Sequence, residues 1–186
     1  MAYIFDPDVI HEIGRKAVGL PHDEMCRVVI DELNERYPGH IDPKIDWIYN
    51  ITAGATGIMT VLHASLTEYV ILFGTPVGTE GFSGRYLVEI YDCVLSGEMW
   101  TYTEETLAKK TVHTPGEFAV LRRDQVKGFR LSDECWLLEY GRGAIPTALP
   151  LALGDSVFSS MDWYTVGKTL WVYGKQVTQN LMRGKI

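Results

Sequence analysis

The chain has 186 residues, enough for one well-filled core. With 46% hydrophobic and 22% charged residues, its composition excludes disorder over most of the length. The net charge is −7, from 24 acids and 17 bases, and the bases run no longer than Arg15-Lys16, Lys109-Lys110 and Arg122-Arg123, so a nucleic-acid partner is excluded.

At the N-terminus, Asp6-Pro7 reads as a helix cap and first helical residue. Val9, Ile10, Ile13 and Ala17 then form a helical stripe ending near Gly19. A second helix is expected from about Pro21, with Met25, Val28, Val29 and Leu33 on its apolar face and Pro38-Gly39 as its stop. The glycine-spaced stretch NITAGATGIM (Asn50 to Met59) follows, and Met59, Leu62, His63 and Leu66 fall at helical spacing.

From Glu68 the pattern changes to short β-type runs broken by Gly, Pro and Thr: EYVILFGT, GRYLVEIYDCVLSG, EMWTYT, TVHTPGEFAVLRR, KGFRLS and CWLLEYG. Their spacing predicts a sandwich or a closed barrel. Gly141-Arg142-Gly143 reads as a turn leading to the C-terminal part. After Pro146 two helices are expected, with Pro150 marking a kink or a start and Asp162 capping the second. Their apolar faces are Leu149, Leu151, Leu153, Val157 and Phe158, then Trp163, Val166, Leu170, Trp171, Tyr173 and Val177. The expected organisation is one domain, 1–186, with a helical part (1–66), a β-barrel (67–145) and C-terminal helices (146–186).

Two carboxylates stand out. Strand alternation puts Tyr86, Val88, Ile90 and Asp92 on one face, so Asp92 ends an apolar stripe. Glu139 shares a face with Cys135 and Leu137, while Trp136, Leu138 and Tyr140 take the other, so both sides of that strand are expected to be covered. A lone buried acid is costly unless protonated or paired. Two facing acids could share one proton and titrate as a unit, which suits proton delivery and removal in a dry pocket, or could hold a cation. On pattern alone a structural role is the favoured reading, through backbone N–H bonds or pairing with Arg85 or Arg142. Glu68 and Glu89 compete, although Glu68 opens a strand and reads better as a backbone-bonding structural acid.

Other chemistries find little support. Cys26, Cys93 and Cys135 are far apart among apolar neighbours, and His11, His22, His40, His63 and His113 are dispersed, so neither a disulfide framework nor a metal site is indicated. GTPVGTEGFSGR leads into a strand with no following Lys-Ser/Thr, so it reads as a hairpin or loop, not a phosphate cradle. His113 lies in a turn-like HTPGE with no nucleophile beside it. No nucleophile elbow or dinucleotide fingerprint occurs, no apolar run reaches the ~20 residues of a membrane span, and the early Asp6, Asp8 and Glu12 argue against a signal peptide.

HASLTEYVILFGTPVGTEGFSGRY (His63 to Tyr86), EYGRGAIP (Glu139 to Pro146) and LALGDSVFSSMDWYT (Leu151 to Thr165) resemble the family uniting fungal sterol delta-8/delta-7 isomerases with the sigma receptor of type one. The resemblance covers the chain from about Tyr3 onward. It implies a mainly β fold: a cupin-like β-barrel with two N-terminal helices and two C-terminal amphipathic helices covering its mouth. It also implies a homotrimer, peripheral contact with a membrane surface, and no cofactor. It makes Asp92 and Glu139 the acids inside the barrel, reversing the structural preference above, and it carries substrate-wall positions onto Met59, Tyr69, Phe73, Ile90, Ile145 and Tyr173.

What the resemblance implies about activity is a cofactor-independent shift of a C=C bond in a sterol or related terpenoid, with amphiphilic amines as ligands or inhibitors. The alternatives are a receptor-like binding protein without turnover and a family member redirected to another polycycle. The longer segment containing VKGFRLS and Pro150 resemble the isomerases, whereas YGRG resembles the receptor. Family members usually begin with a membrane-spanning helix. This chain starts at the first soluble helix, so either an anchor has been removed or the protein is an anchor-free relative whose substrate need not be a sterol. The expected location is cytoplasmic or peripheral to a membrane, that of the endoplasmic reticulum in a eukaryote. Trp163, Tyr164, Trp171 and Tyr173, with Lys168, Lys175, Arg183 and Lys185, are suited to such an interface.

Overall fold

The computed structural model describes residues 3–106 and 108–185. Helix α1 (Pro7–Lys16) starts as its sequence dictates: the Asp6 carboxylate accepts from the N–H groups of Asp8 and Val9, and Pro7 occupies the first turn. Helix α2 (His22–Arg36) begins after Pro21 and buries Met25, Cys26, Val29, Ile30 and Leu33.

Ten strands follow: β1 (Ile48–Thr52), β2 (Ala55–Ala64), β3 (Glu68–Thr75), β4 (Thr79–Phe82), β5 (Val88–Ser96), β6 (Met99–Tyr102), β7 (Thr111–His113), β8 (Phe118–Leu121), β9 (Gly128–Leu131) and β10 (Cys135–Gly143). Helices α3 (Leu149–Phe158) and α4 (Trp163–Met182) complete the chain. Pro150 sits in the first turn of α3, and Asp162 caps α4 by accepting from the Thr165 N–H at 3.0 Å.

All pairings are antiparallel. One six-stranded sheet has the order β1-β2-β3-β10-β5-β8, and a four-stranded sheet has β4-β9-β6-β7. The sheets meet face to face over Met59, Phe73, Val94, Met99, Leu131 and Leu137. The outer face of the larger sheet, with Leu62, Leu72, Tyr91, Cys93, Leu138 and Tyr140, packs on Ile10, Ile13, Val29 and Leu33 of the N-terminal helices. The protein is thus mainly β, two antiparallel sheets with flanking helices. The barrel expected from strand spacing is not closed, because the two sheets keep separate hydrogen-bond ladders.

Three local expectations need correction. Residues 48–64 form a hairpin of two strands: Met59, Leu62 and His63 belong to β2. Ala53 and Gly54, both at positive φ, form the two-residue turn between β1 and β2, a geometry matched to strand twist. Second, Gly141-Arg142-Gly143 is no turn but the end of β10, paired on both sides. Third, α4 turns a mixed face inward, with Tyr173 and Val177 of the expected apolar face beside polar residues. Gln176 donates to the Val61 carbonyl (3.1 Å) and Asn180 to that of Ala64 (2.8 Å), whereas Trp163, Tyr164 and Trp171 are exposed.

Candidate active site

The space between the sheets holds a cavity of about 210 Å³. Alternation makes it: Tyr69, Ile71 and Phe73 of β3, Ile90 and Asp92 of β5, and Leu137 and Glu139 of β10 all face inward. Its walls are almost wholly apolar, with Asp92, Glu139 and Lys127 as the charged members of the lining. Met59, Tyr69, Phe73, Ile90, Ile145 and Tyr173, picked out at the sequence level as wall positions, all line it. Leu149, Leu151 and Ala152 of α3 and Thr169 and Tyr173 of α4 close one side.

The β5–β10 register sets Asp92 directly opposite Glu139. Asp92 is 2% exposed. Glu139 retains more accessible surface because it faces the cavity. Burial among apolar groups, then the neighbouring Asp92, push the Glu139 carboxyl up to about 8; a hydrogen bond with Asp92 adds to this. Opposing them is the Tyr69 hydroxyl, which donates to Glu139 Oε1 at 2.6 Å. Burial and the Glu139 charge raise the phenols of Tyr69 and Tyr86 in turn, so both stay protonated donors.

Gly141 makes the Tyr69 contact possible. It pairs with Tyr69 across the β3–β10 ladder, and the Tyr69 ring lies where a Cβ on residue 141 would be. The ring can therefore cross β10 and reach Glu139, two residues away on the same face.

Lys127 was not singled out from the sequence. Its ammonium donates to Asp92 Oδ2 at 2.6 Å, and both side chains are buried. The only hint lay in VKGFRLS, an otherwise ordinary strand start. Neither Arg85 nor Arg142 pairs with the two acids: Arg85 reaches Glu104, and Arg142 binds Glu89 at 2.9 Å. Glu89 thus belongs to an outer ion pair. Glu68, fully buried, accepts from the backbone N–H groups of Ile4 and Phe5, from Tyr140 and from Lys185, a structural role as its position suggested. His113 is half-buried on β7 and contacts Thr101 Oγ1 at 3.1 Å. The three cysteines are buried and free.

A buried acid pair facing an apolar cavity, one member bonded to a phenol and the other to an ammonium, has the chemistry to transfer a proton or to hold a cation inside a hydrophobic ligand. The chain belongs to the family described as ERG2 and Sigma1 receptor like protein, which it matches over residues 1–185. It is 41% identical over 175 residues to "Sigma non-opioid intracellular receptor 1" of Gallus gallus, covering 93% of this chain and 78% of that protein. To "C-8 sterol isomerase ERG2" of Gibberella zeae it is 37% identical over 188 residues, covering 99% and 79%. Among solved structures, KdgF from Halomonas sp. aligns with a TM-score of 0.45 at 13% identity, over 56% of this chain and 93% of that one.

Proposed function

We propose that the protein is a cofactor-independent isomerase that shifts a C=C bond in a sterol or related terpenoid, with Asp92 and Glu139 as the proton-transferring pair. The observation that carries this reading is the opposition of the two acids inside a cavity whose walls, Lys127 apart, are mostly apolar. A carboxyl gives a proton to one alkene carbon, a tertiary carbocation forms, and a carboxylate removes a proton from the adjacent carbon. An unactivated alkene is a weak base, so the main assistance is a preorganised negative charge in a water-poor site. The rings of Tyr69 and Phe73 add cation–π attraction of about 0.5–2 kcal/mol.

The reading is tested by incubating the protein with a delta-8 sterol in deuterated water. An isomerase places solvent deuterium at a defined carbon, and Glu139→Gln and Asp92→Asn each abolish this while the fold survives. Near-normal turnover in either variant sinks the assignment.

A second reading, a receptor-like protein that binds amphiphilic amines without turnover, draws on the 41% identity to a sigma receptor and on the Glu139 carboxyl aimed into the cavity. It expects amine binding that collapses in Glu139→Gln, with no deuterium incorporation.

Access from a membrane surface suits either reading. Helix α3 is largely apolar, yet only Ser156 is buried, and Phe158, Met161, Trp163, Tyr164 and Trp171 are exposed around the α3–α4 junction. Of the four cations expected at such an interface, Lys168 instead pairs with Asp46 and Lys185 with Glu68. Among the described residues no helix is long and apolar enough to cross a membrane.

A further inference from the structure

The cavity lining holds two acids and one lysine, and their arrangement is not symmetric. Lys127 precedes β9, and its backbone is fastened to Ser83 on both sides: Lys127 N–H donates to Ser83 Oγ, and Ser83 N–H donates to the Lys127 carbonyl, each at 2.9 Å. From this anchored position the ammonium reaches Asp92 Oδ2 but makes no ion pair with Glu139 among the described residues. The side chains of Lys127 and Asp92 are 8% and 4% exposed. At 2.6 Å, in surroundings where an unpaired charge is costly, the ammonium and the carboxylate serve as each other's counter-charge. Glu139 instead accepts from the Tyr69 hydroxyl, on Oε1, and shares a hydrogen bond with Asp92. Asp92 Oδ1 and Glu139 Oε2 are therefore the oxygens not taken by Lys127 and Tyr69, and a proton between the acids can lie there.

We propose that Lys127 is a positioning residue that fixes the negative charge on Asp92 and leaves the exchangeable proton on Glu139, making Glu139 the acid of the first step and Asp92 the base of the second. The chemical roles rest on the isomerase reading; the proton assignment does not. Charge balance gives the physical reason. With Glu139 neutral, Asp92 and Lys127 cancel, and the cavity has no net charge. In the first step the Glu139 O–H bond breaks and the alkene π pair forms a C–H bond. The new carbocation is matched by the new Glu139 carboxylate, so the cavity remains neutral. Asp92 then takes a proton from the adjacent carbon, and the C–H pair becomes the new double bond. The proton finally passes from Asp92 to Glu139, which restores the starting state without oxidant, reductant or cofactor. No stage places an uncompensated charge in the apolar space, where it would be most expensive.

The other titratable groups around this pair include Tyr69 from β3, Tyr86 ahead of β5, His113 from β7, Cys135 from β10 and Tyr173 from α4. Burial, together with the acid charges, keeps the phenols of Tyr69 and Tyr86 protonated, and burial, with the Lys127 charge next, lowers His113. None of them competes with Lys127 as the counter-ion of Asp92.

Infrared spectroscopy of the carboxyl C=O stretch tests the proposal without any turnover. The wild-type protein should show one protonated buried carboxyl at neutral pH. That band should vanish in Glu139→Gln and titrate at lower pH in Asp92→Asn, where Glu139 becomes the acid nearest the ammonium. In Lys127→Met it should persist to a pH at least about one unit higher, because an attracting cation is gone, and Lys127→Arg should restore the wild-type midpoint. The double variant Lys127→Met/Glu139→Gln should regain a band, now from Asp92.

A band that survives Glu139→Gln overturns the assignment, as does a Lys127→Met midpoint equal to wild type. If Lys127→Met fails to fold, the comparison of wild type with Glu139→Gln and Asp92→Asn still decides. The spectroscopic pattern without deuterium transfer to a delta-8 sterol would uphold the role of Lys127 and reject the isomerase reading. Turnover with the proton found on Asp92 would do the reverse.

Discussion

Glu139 holds its proton because the influences that raise its carboxyl outweigh those that lower it. Burial and Asp92 favour the neutral form, and the Tyr69 hydroxyl and the Lys127 charge work against them. Its folded value of about 8 stands above the ordinary 4.5. Between those two pH values the folded chain binds more protons here than the unfolded chain, so this site lowers stability progressively as pH rises through the window. Glu139→Gln should flatten that part of the stability curve, measured as the urea midpoint against pH; an unchanged slope would contradict the raised carboxyl. Gly141 acts at the same scale by making room for the Tyr69 ring. Gly141→Ala should displace the ring, lose the 2.6 Å bond and raise the Glu139 midpoint further. Tyr69→Phe should do the same, and the double variant should match either single one, since both delete one interaction. Additive effects would show that Gly141 acts by another route.

Among the elements, α3 and the outer face of α4 run against the usual rule that a helix buries its apolar side, although Tyr173 and Val177 of α4 do turn inward. Gln176 and Asn180 bind carbonyls of β2, Lys168 binds the Trp47 carbonyl, and the aromatic side faces outward. Phe158 and Trp171 are 84% and 73% exposed. Burying a large apolar side chain is worth about 1.5–3 kcal/mol, so Phe158→Ala/Trp171→Ala should weaken binding to zwitterionic vesicles by roughly 100-fold or more in a flotation assay. Val77→Ala, at an exposed site on a different loop, should leave it unchanged. Equal binding by the double variant would remove membrane contact from the proposal. The strands were more legible. β3, β5, β6, β9 and β10 follow runs visible in the sequence, because a two-residue period and β-branched or aromatic content are local signals. β1 and β2 were hidden: Met59, Leu62 and His63 satisfy a helical spacing by coincidence, and the turn places an alanine, not the usual Asn or Asp, at positive φ.

Across the whole molecule both ends of the chain converge on Glu68. It gathers the N–H groups of Ile4 and Phe5, the Tyr140 hydroxyl and the Lys185 ammonium at 2.7 Å, while itself fully buried. This cluster lies on the helix side of the large sheet, opposite the cavity. Glu68→Ala should cost about 3–5 kcal/mol, the range for breaking a buried pair and stranding its partners, read as a lower urea midpoint. Turnover measured well below that midpoint should persist. A loss under about 1 kcal/mol would show that the cluster is not a tie of this kind.

Composition and alternation in the sequence determined the mainly β class, the terminal helices and which neighbours share a strand face with Asp92 and with Glu139, since each depends on residues close together along the chain; the placement of the two acids inside the fold came from the family resemblance. Only the tertiary structure decided what the acids face. Lys127 is 35 residues from Asp92, and Tyr69 is 70 from Glu139. Their meeting depends on two sheets closing over a common cavity and on strand registers set by distant pairings. The direction of α4 was likewise beyond the local pattern, because free carbonyls on β2 drew its amides inward and left the aromatic residues outside.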